Sequence, residues 1–291
     1  MKLLKEVEGI LQKLEIELKI RGFSKATISA YKRHNFEFLT FTNKQPNKTT
    51  IDDVKAYQVY LYDKGIKPTS TSLKLSSIKF LFNKILKIKL ITDEVGYPKL
   101  PKKIPDALTR NEVQRLFSAV SNKKHLLLLK FMYGSGLRVS ECVNFKIKDL
   151  IFDNLTAKVR GGKGNKERMI ILSEEFISLL KEYLNYRKEK QSEYLFPSKR
   201  NPNKPITVRA AQNVIEKAAK NAGFNKRVYC HILRSSFATH LLEDNTDIRY
   251  IQELLGHINL DTTERYTKVN PEILRKVKSP LDKLNNKSNK F

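Results

Sequence analysis

The sequence predicts a mainly α-helical chain with one small β element, built as a helical domain followed by a larger α+β domain. Three observations carry that prediction. Apolar residues recur at helical spacing through most of the 291 residues. Only residues 156–160 and 168–172, two β-branched or apolar runs, are placed to form a hairpin. Residues 97–105 read Tyr-Pro-Lys-Leu-Pro-Lys-Lys-Ile-Pro, and three prolines in nine residues deny helix and favour an extended interdomain linker. A chain of this length also exceeds the size at which single cores usually stop growing. The expected domains are therefore 1–96 and 106–291.

In the first domain, Leu3, Leu4, Val7, Ile10, Leu11, Leu14, Ile16 and Leu18 form one stripe, stopped at Gly22. Ser24 can cap a second helix carrying Ile28, Tyr31, Phe36, Leu39 and Phe41. Thr50 opens a third through Ile51, Val54, Tyr57, Val59, Tyr60 and Leu61, ended by Gly65. Pro68 introduces a fourth with the stripe Ile78, Leu81, Phe82 and Ile85. Short loops make this a four-helix bundle. The early turns of the fourth helix differ: Thr69, Ser70, Thr71, Ser72, Lys74, Ser76, Ser77 and Lys79 present hydroxyl and ammonium groups. Such groups hold phosphate oxygens, so Ser70, Ser72, Lys74 and Lys79 are candidate backbone-binding residues. The alternative is a solvated helix face. Lys102 and Lys103 of the linker are candidates of the same kind.

In the second domain, Thr109 with Glu112 three residues later is a capping-box signature for a helix through Val113, Leu116 and Phe117. The run 125–133 is apolar enough to be a core helix, and Gly134-Ser135-Gly136 breaks it. A short helix follows over 137–143, in which Arg138 and Glu141 are i, i+3 neighbours able to pair. The hairpin comes next, with the glycine-rich basic tip Gly161-Gly162-Lys163-Gly164-Asn165-Lys166-Glu167, where Lys163 and Lys166 can reach a phosphate. The tip lacks P-loop spacing and no Ser or Thr follows Lys163, so nucleotide binding is not expected. Helices are expected over 173–190, 207–222, 231–242 and 248–255, with two further elements from 261 past Tyr266 and over 271–277.

Charge points to the partner. Lys and Arg number 56 against 30 Asp and Glu, a net +26, and both halves share it: 21 basic and 10 acidic residues in 1–104, 35 and 20 in 105–291. A field spread over both domains fits a polyanion that both touch, although a lysine-rich surface alone gives the same totals. No run approaches the ~20 apolar residues that span a bilayer, and residues 1–20 alternate charge with Leu and Ile. No membrane partner is expected, and the expected location is the cytoplasm. Cys142 and Cys230 have neither metal-ligand spacing nor a secreted context, and read as two reduced, buried thiols.

Five local motifs remain. They are Gly136-Leu137-Arg138-Val139-Ser140-Glu141, Gly162-Lys163-Gly164-Asn165-Lys166, His231-Ile232-Leu233-Arg234 with Phe237-Ala238-Thr239-His240, Leu255-Gly256-His257, and Thr263-Glu264-Arg265-Tyr266. In this order they resemble the tyrosine recombinases of the phage-integrase family, most closely the Xer-type members, over nearly the whole chain. The resemblance implies a SAM-like core-binding domain ahead of the catalytic domain. It also implies site-specific recombination of duplex DNA in a tetramer, and a C-terminal segment exchanged between subunits.

Physical reasoning gives each motif position a role. Phosphodiester transfer asks the protein for a nucleophile and for positive groups around the phosphoryl oxygens. Arg138 and Arg234 suit the second task, since a guanidinium can hold two oxygens and keeps its charge. His231 either takes the nucleophile's proton or donates to an oxygen, and His257 donates to a non-bridging oxygen. Lys163 is the candidate general acid for the leaving 5′ oxygen. Tyr266, whose phenol has an ordinary pKa of about 10, is the candidate nucleophile. It would form a 3′-phosphotyrosyl link that stores the bond energy, so no metal or other cofactor is required. Glu141 and His240 are expected to support the site without touching DNA. Two positions depart from the family pattern: Ser235 follows the second arginine and Lys268 lies two past Tyr266, where histidines are common. Two other readings stay open, a type IB topoisomerase with the same chemistry and a non-catalytic DNA-binding protein.

Overall fold

The computed structural model describes residues 2–88, 95–99, 106–160, 167–187 and 191–256. The chain divides into two compact units, Met1–Lys102 and Lys103–Phe291.

The first unit packs α1 (Lys2–Ile20), α2 (Lys25–Thr42), α3 (Ile51–Asp63) and α4 (Pro68–Phe80). Their starts follow the local chemistry. Ser24 Oγ accepts the Thr27 amide, Thr50 and Asp53 form a reciprocal capping box, and Pro68 sits where its missing N–H costs nothing. The core is made by Leu14, Leu18, Phe38, Leu39, Val54, Tyr57, Leu75, Ile78, Leu81 and Phe82. Phe38 meets Tyr57 edge-on at 5.2 Å and Phe82 at 6.0 Å. Helix α4 continues into one wide turn, Leu81–Leu86, closed by Lys87 in the left-handed conformation. Tyr97, expected to begin the linker, instead lies 4.4 Å beneath the Lys79 ammonium.

The second unit is organised on α6 (Lys123–Gly134). Leu127, Leu128, Leu129, Phe131 and Met132 of this helix are all buried. Around it lie α5 (Arg110–Ser118), α7 (Val139–Val143), α8 (Glu174–Tyr186), α9 (Val208–Asn221), α10 (Cys230–Glu243) and α11 (Ile248–Leu255). Phe131 stacks on Phe176 of α8 at 4.7 Å. Truncating such a ring costs about 3–5 kcal/mol. Thr109 and Glu112 cap α5 reciprocally, as their spacing predicts.

The sheet is antiparallel and has a strand the sequence pattern does not show. β1 (Leu150–Ile151) joins β2 (Thr156–Val159) and β3 (Arg168–Ile171) in the order β1-β2-β3. Two residues are too few to display a period. The β2–β3 register pairs Thr156 with Ile171 and Val159 with Arg168, which turns Ala157, Val159 and Ile170 inward. Cys142 and Cys230 are buried in the same core, and burial pushes both thiols upward, Cys230 to about 11. Neither is a thiolate near neutral pH. Among the described residues, no helix is long and apolar enough to cross a membrane.

Candidate active site

Four segments of the second unit converge on one carboxylate. The first is the turn after α6. Gly136 adopts φ +59°, and a β-carbon there would lie 2.5 Å from the Phe237 ring and 3.0 Å from Leu255, so only glycine lets this turn close onto α10 and α11. Ser135 Oγ pins the same turn to the end of β3 by donating to the Ile171 carbonyl at 2.8 Å.

Arg138 follows as the N-cap of α7 rather than a residue inside it. Its amide donates to Glu141 Oε2 at 2.9 Å and its Nη1 to Oε1 at 2.8 Å. The i, i+3 pairing expected from the sequence is therefore present. The carboxylate thereby satisfies the N-cap amide, as the third-position acid of a capping box does, at the start of a five-residue helix.

The third segment is β3, and its contribution is absent from the sequence reading. Arg168 Nη1 and Nη2 donate to the two oxygens of Glu141 at 2.9 and 2.7 Å, while its Nε donates to the Leu254 carbonyl at 2.7 Å. The Arg168 stem lies against Gly256, where a β-carbon would come within 2.9 Å of Cδ. Nothing local marks this arginine as different from any strand residue, because its partners lie 27 and 86 positions away.

The fourth segment is α10. Arg234 has no exposed surface. Its Nη1 donates to the Gly136 carbonyl at 2.7 Å and lies 3.9 Å from Glu141 Oε2, and its Nη2 donates to the Leu255 carbonyl at 2.5 Å. His231 and Arg234, both assigned roles at the phosphate in the sequence, lie three residues apart on this helix, which exposes His231 and covers Arg234. Ser235, beside it, is buried as well.

Electrostatics follow from this arrangement. Burial alone would raise the Glu141 carboxyl, but the hydrogen bonds and charge of Arg168, then the bonds from Arg138, outweigh it and hold the group at about 2. Three guanidiniums thus share one carboxylate that is ionised near neutral pH. Arg138 is the most open of them, with its side chain 27% exposed against 7% for Arg168. Surrounding protein, then the charges of Arg234 and Arg138, keep the His231 imidazole below its ordinary value. It is neutral near pH 7 and can accept a proton.

The remaining expected residues divide. His240 is buried on α10, with Nδ1 2.8 Å from the Tyr133 hydroxyl and its carbonyl bonded by Arg110. Those contacts tie α10 to α5 and α6 and place it in the scaffold. Lys163, Lys166, His257, Tyr266, Lys102 and Lys103 lie outside the described residues. On α4 of the first unit, Lys74 is paired with Glu37, Lys79 donates to the Val95 carbonyl at 3.1 Å, and Ser72 Oγ donates back to the Pro68 carbonyl at 3.0 Å. Ser70 is exposed.

Comparison with known proteins gives a consistent picture. A family model described as the phage integrase family matches residues 106–272, and one described as a phage integrase N-terminal SAM-like domain matches residues 10–92. The tyrosine recombinase XerA of Pyrococcus horikoshii is 38% identical over 267 residues, covering 91% of each chain. A crystal structure of XerA recombinase superposes with a TM-score of 0.55 at 31% identity, covering 98% of this chain and 100% of that one. The XerH site-specific recombinase bound to its difH substrate superposes with a TM-score of 0.71 at 25% identity, covering 91% and 82%.

Proposed function

The chain belongs to the phage integrase family of tyrosine recombinases, and from that premise we propose how its residues cut and rejoin duplex DNA at a specific site. The observation that carries the proposal is the cluster around Glu141, where three arginines share one carboxylate. This is a rigid, net positive recess of the kind that stabilises a phosphoryl group gaining charge. Arg138 supplies the exposed fork, and Arg234 the buried charge behind it.

Tyr266 is the nucleophile in this reading. Its oxygen attacks the phosphorus and its proton passes to the neutral His231 imidazole. The 5′ oxygen leaves with a proton from Lys163, and a 3′-phosphotyrosyl bond replaces the phosphodiester. His257 donates to a non-bridging oxygen from the position just after Gly256. A second strand's 5′-hydroxyl reverses the step. Exchange of two duplexes needs four strand cuts, and each chain offers one Tyr266, so the working assembly is a tetramer. The C-terminal segment beyond residue 270, with Ile273, Leu274, Val277 and Leu281, links neighbouring subunits. DNA-backbone contacts are assigned to Ser70, Ser72, Lys74 and Lys79 of α4, and to Lys102, Lys103 and Lys166. Of these, Lys74 and Lys79 must exchange their present partners for phosphate. The role assigned is that of an Xer-type recombinase resolving chromosome or plasmid dimers.

Tyr266→Phe tests the mechanism. The variant is expected to bind its DNA site as the parent does and to form no covalent protein–DNA adduct in denaturing gels. The parent's adduct is expected to persist in a metal chelator. Cleavage by Tyr266→Phe at the parental rate would overturn the mechanism.

A further inference from the structure

We propose that Arg168 is a positioning residue of this site: by occupying both oxygens of Glu141 it leaves Arg138 available to the scissile phosphate, and by holding the Leu254 carbonyl it fixes the turn that leads into His257. The inference rests on the recombinase reading above and adds to it a residue that no motif of the sequence singles out.

Three observations support it. Among the described residues Glu141 is the carboxylate these arginines share, and its two oxygens are aligned with the Arg168 fork at 2.9 and 2.7 Å. A bidentate pair of this geometry is the strong form of the interaction. Arg138 reaches the same carboxylate through a single guanidinium nitrogen, at 2.8 Å. Remove Arg168, and Glu141 is free to turn its whole charge on Arg138, drawing that guanidinium away from an incoming phosphate. The same side chain then donates through Nε to the Leu254 carbonyl at 2.7 Å and packs along Gly256. Arg234 holds the next carbonyl, Leu255, so the last turn of α11 is tied at two successive positions. β3 is also the strand that follows the hairpin tip bearing Lys163 and Lys166. One side chain thus connects α7, β3 and the end of α11.

A charge-balancing role is separable from simple packing by a double-mutant cycle. The assay uses the full chain and nicked suicide duplexes carrying the site recovered by sequencing covalently captured DNA ends. It reads adduct formation and site affinity separately. Arg168→Gln is expected to bind the site within about threefold of the parent and to form adduct roughly 100-fold more slowly, a loss comparable to removing one oxyanion donor. Adding Glu141→Gln to Arg168→Gln is expected to restore adduct formation about tenfold, because no carboxylate then competes for Arg138.

Losses that multiply in the double variant would overturn the proposal, and so would Arg168→Gln cleaving at the parental rate. Should Arg168→Gln not fold, Arg168→Lys carries the test. One ammonium cannot reproduce the fork, so Arg168→Lys is expected to bind the site and form adduct more slowly, and adding Glu141→Gln is expected to restore the rate; a rate equal to the parent's, or no rescue, overturns the inference. A parental chain that captures no DNA overturns the recombinase reading and this inference together. A parental chain that cleaves while Arg168→Gln keeps pace overturns the inference alone.

Discussion

Helix α4 of the first unit and the arginine cluster of the second both read, in the sequence, as phosphate-binding surfaces, yet the fold treats their charges differently. On α4 the two cations face separate partners: Lys74 has Glu37, which Arg33 of α2 also reaches, and Lys79 has the Val95 carbonyl with the Tyr97 ring. Around Glu141, three guanidiniums divide one carboxylate. Separate, partly exposed partners leave these charges adjustable, since long lysine side chains can swap partners. Three-to-one sharing leaves an excess of positive charge that cannot be cancelled from within and is held in fixed geometry. What a site offers to phosphate is its uncancelled charge, not its count of basic residues.

Substitutions can break or sharpen this contrast. The largest effect is expected from Arg234→Ala, which strips the buried cluster of its central cation and leaves the Gly136 and Leu255 carbonyls without their donor. Stability should fall by about 2–5 kcal/mol in urea titrations, and adduct formation by ~100-fold or more. Gly136→Ala comes next. With φ at +59° and Phe237 2.5 Å from the new β-carbon, left-handed strain and overpacking should together cost about 2–4 kcal/mol. A denaturation midpoint equal to the parent's would show that the turn is looser than its contacts imply.

Acid exposes the cluster in a third way. Glu141 sits at about 2 in the folded chain against 4.5 ordinarily, so its contribution is complete above the ordinary value. It is lost as pH falls from there toward the folded value, in total roughly 3 kcal/mol. Stability measured across that window should decline less steeply in Glu141→Gln than in the parent.

The smallest effect belongs to α4. Glu37→Gln releases Lys74 from its partner, and DNA affinity is expected to rise by about threefold with a steeper salt dependence. Lys74→Ala should change affinity less than that. A large loss in Lys74→Ala would mean that this lysine already faces DNA, and the contrast between the two regions would fail.

The helical architecture was legible because its signals are local. Thr109 with Glu112 announces the start of α5, Gly22 and Gly65 stop two helices, and the apolar run within α6 announces a core helix. Arg138 and Glu141 were legible as a pair for the same reason, being one turn apart. Arg168 was not, since only the fold brings β3 against α7 and the end of α11. The burial of Arg234 was hidden too. It depends on the Gly136 and Leu255 carbonyls closing on it, a matter of tertiary distance that a motif cannot express. On α4, sequence reading found the hydroxyls and ammoniums but not their partners. Glu37 lies 37 residues from Lys74, and the hydroxyls of Ser72, Ser76 and Ser77 bond back to their own helix.

Helix α11 rests on α10 through a small apolar cluster of Phe237, Ala238, Ile251 and Leu255, separate from the main core that holds Ile232 and Leu233 of the same helix. Its tethers beyond that cluster include the two arginine-to-carbonyl bonds from Arg168 and Arg234. Opening α11 therefore does not require melting the unit, and the two events have different clocks. Amide hydrogens of α11 exchange with solvent through a local excursion, while those of α6 wait for global unfolding. An anion that steadies the arginines slows the faster clock and leaves the slower one unchanged, so occupancy of the active site is written into the hydrogen-exchange rate of a neighbouring helix.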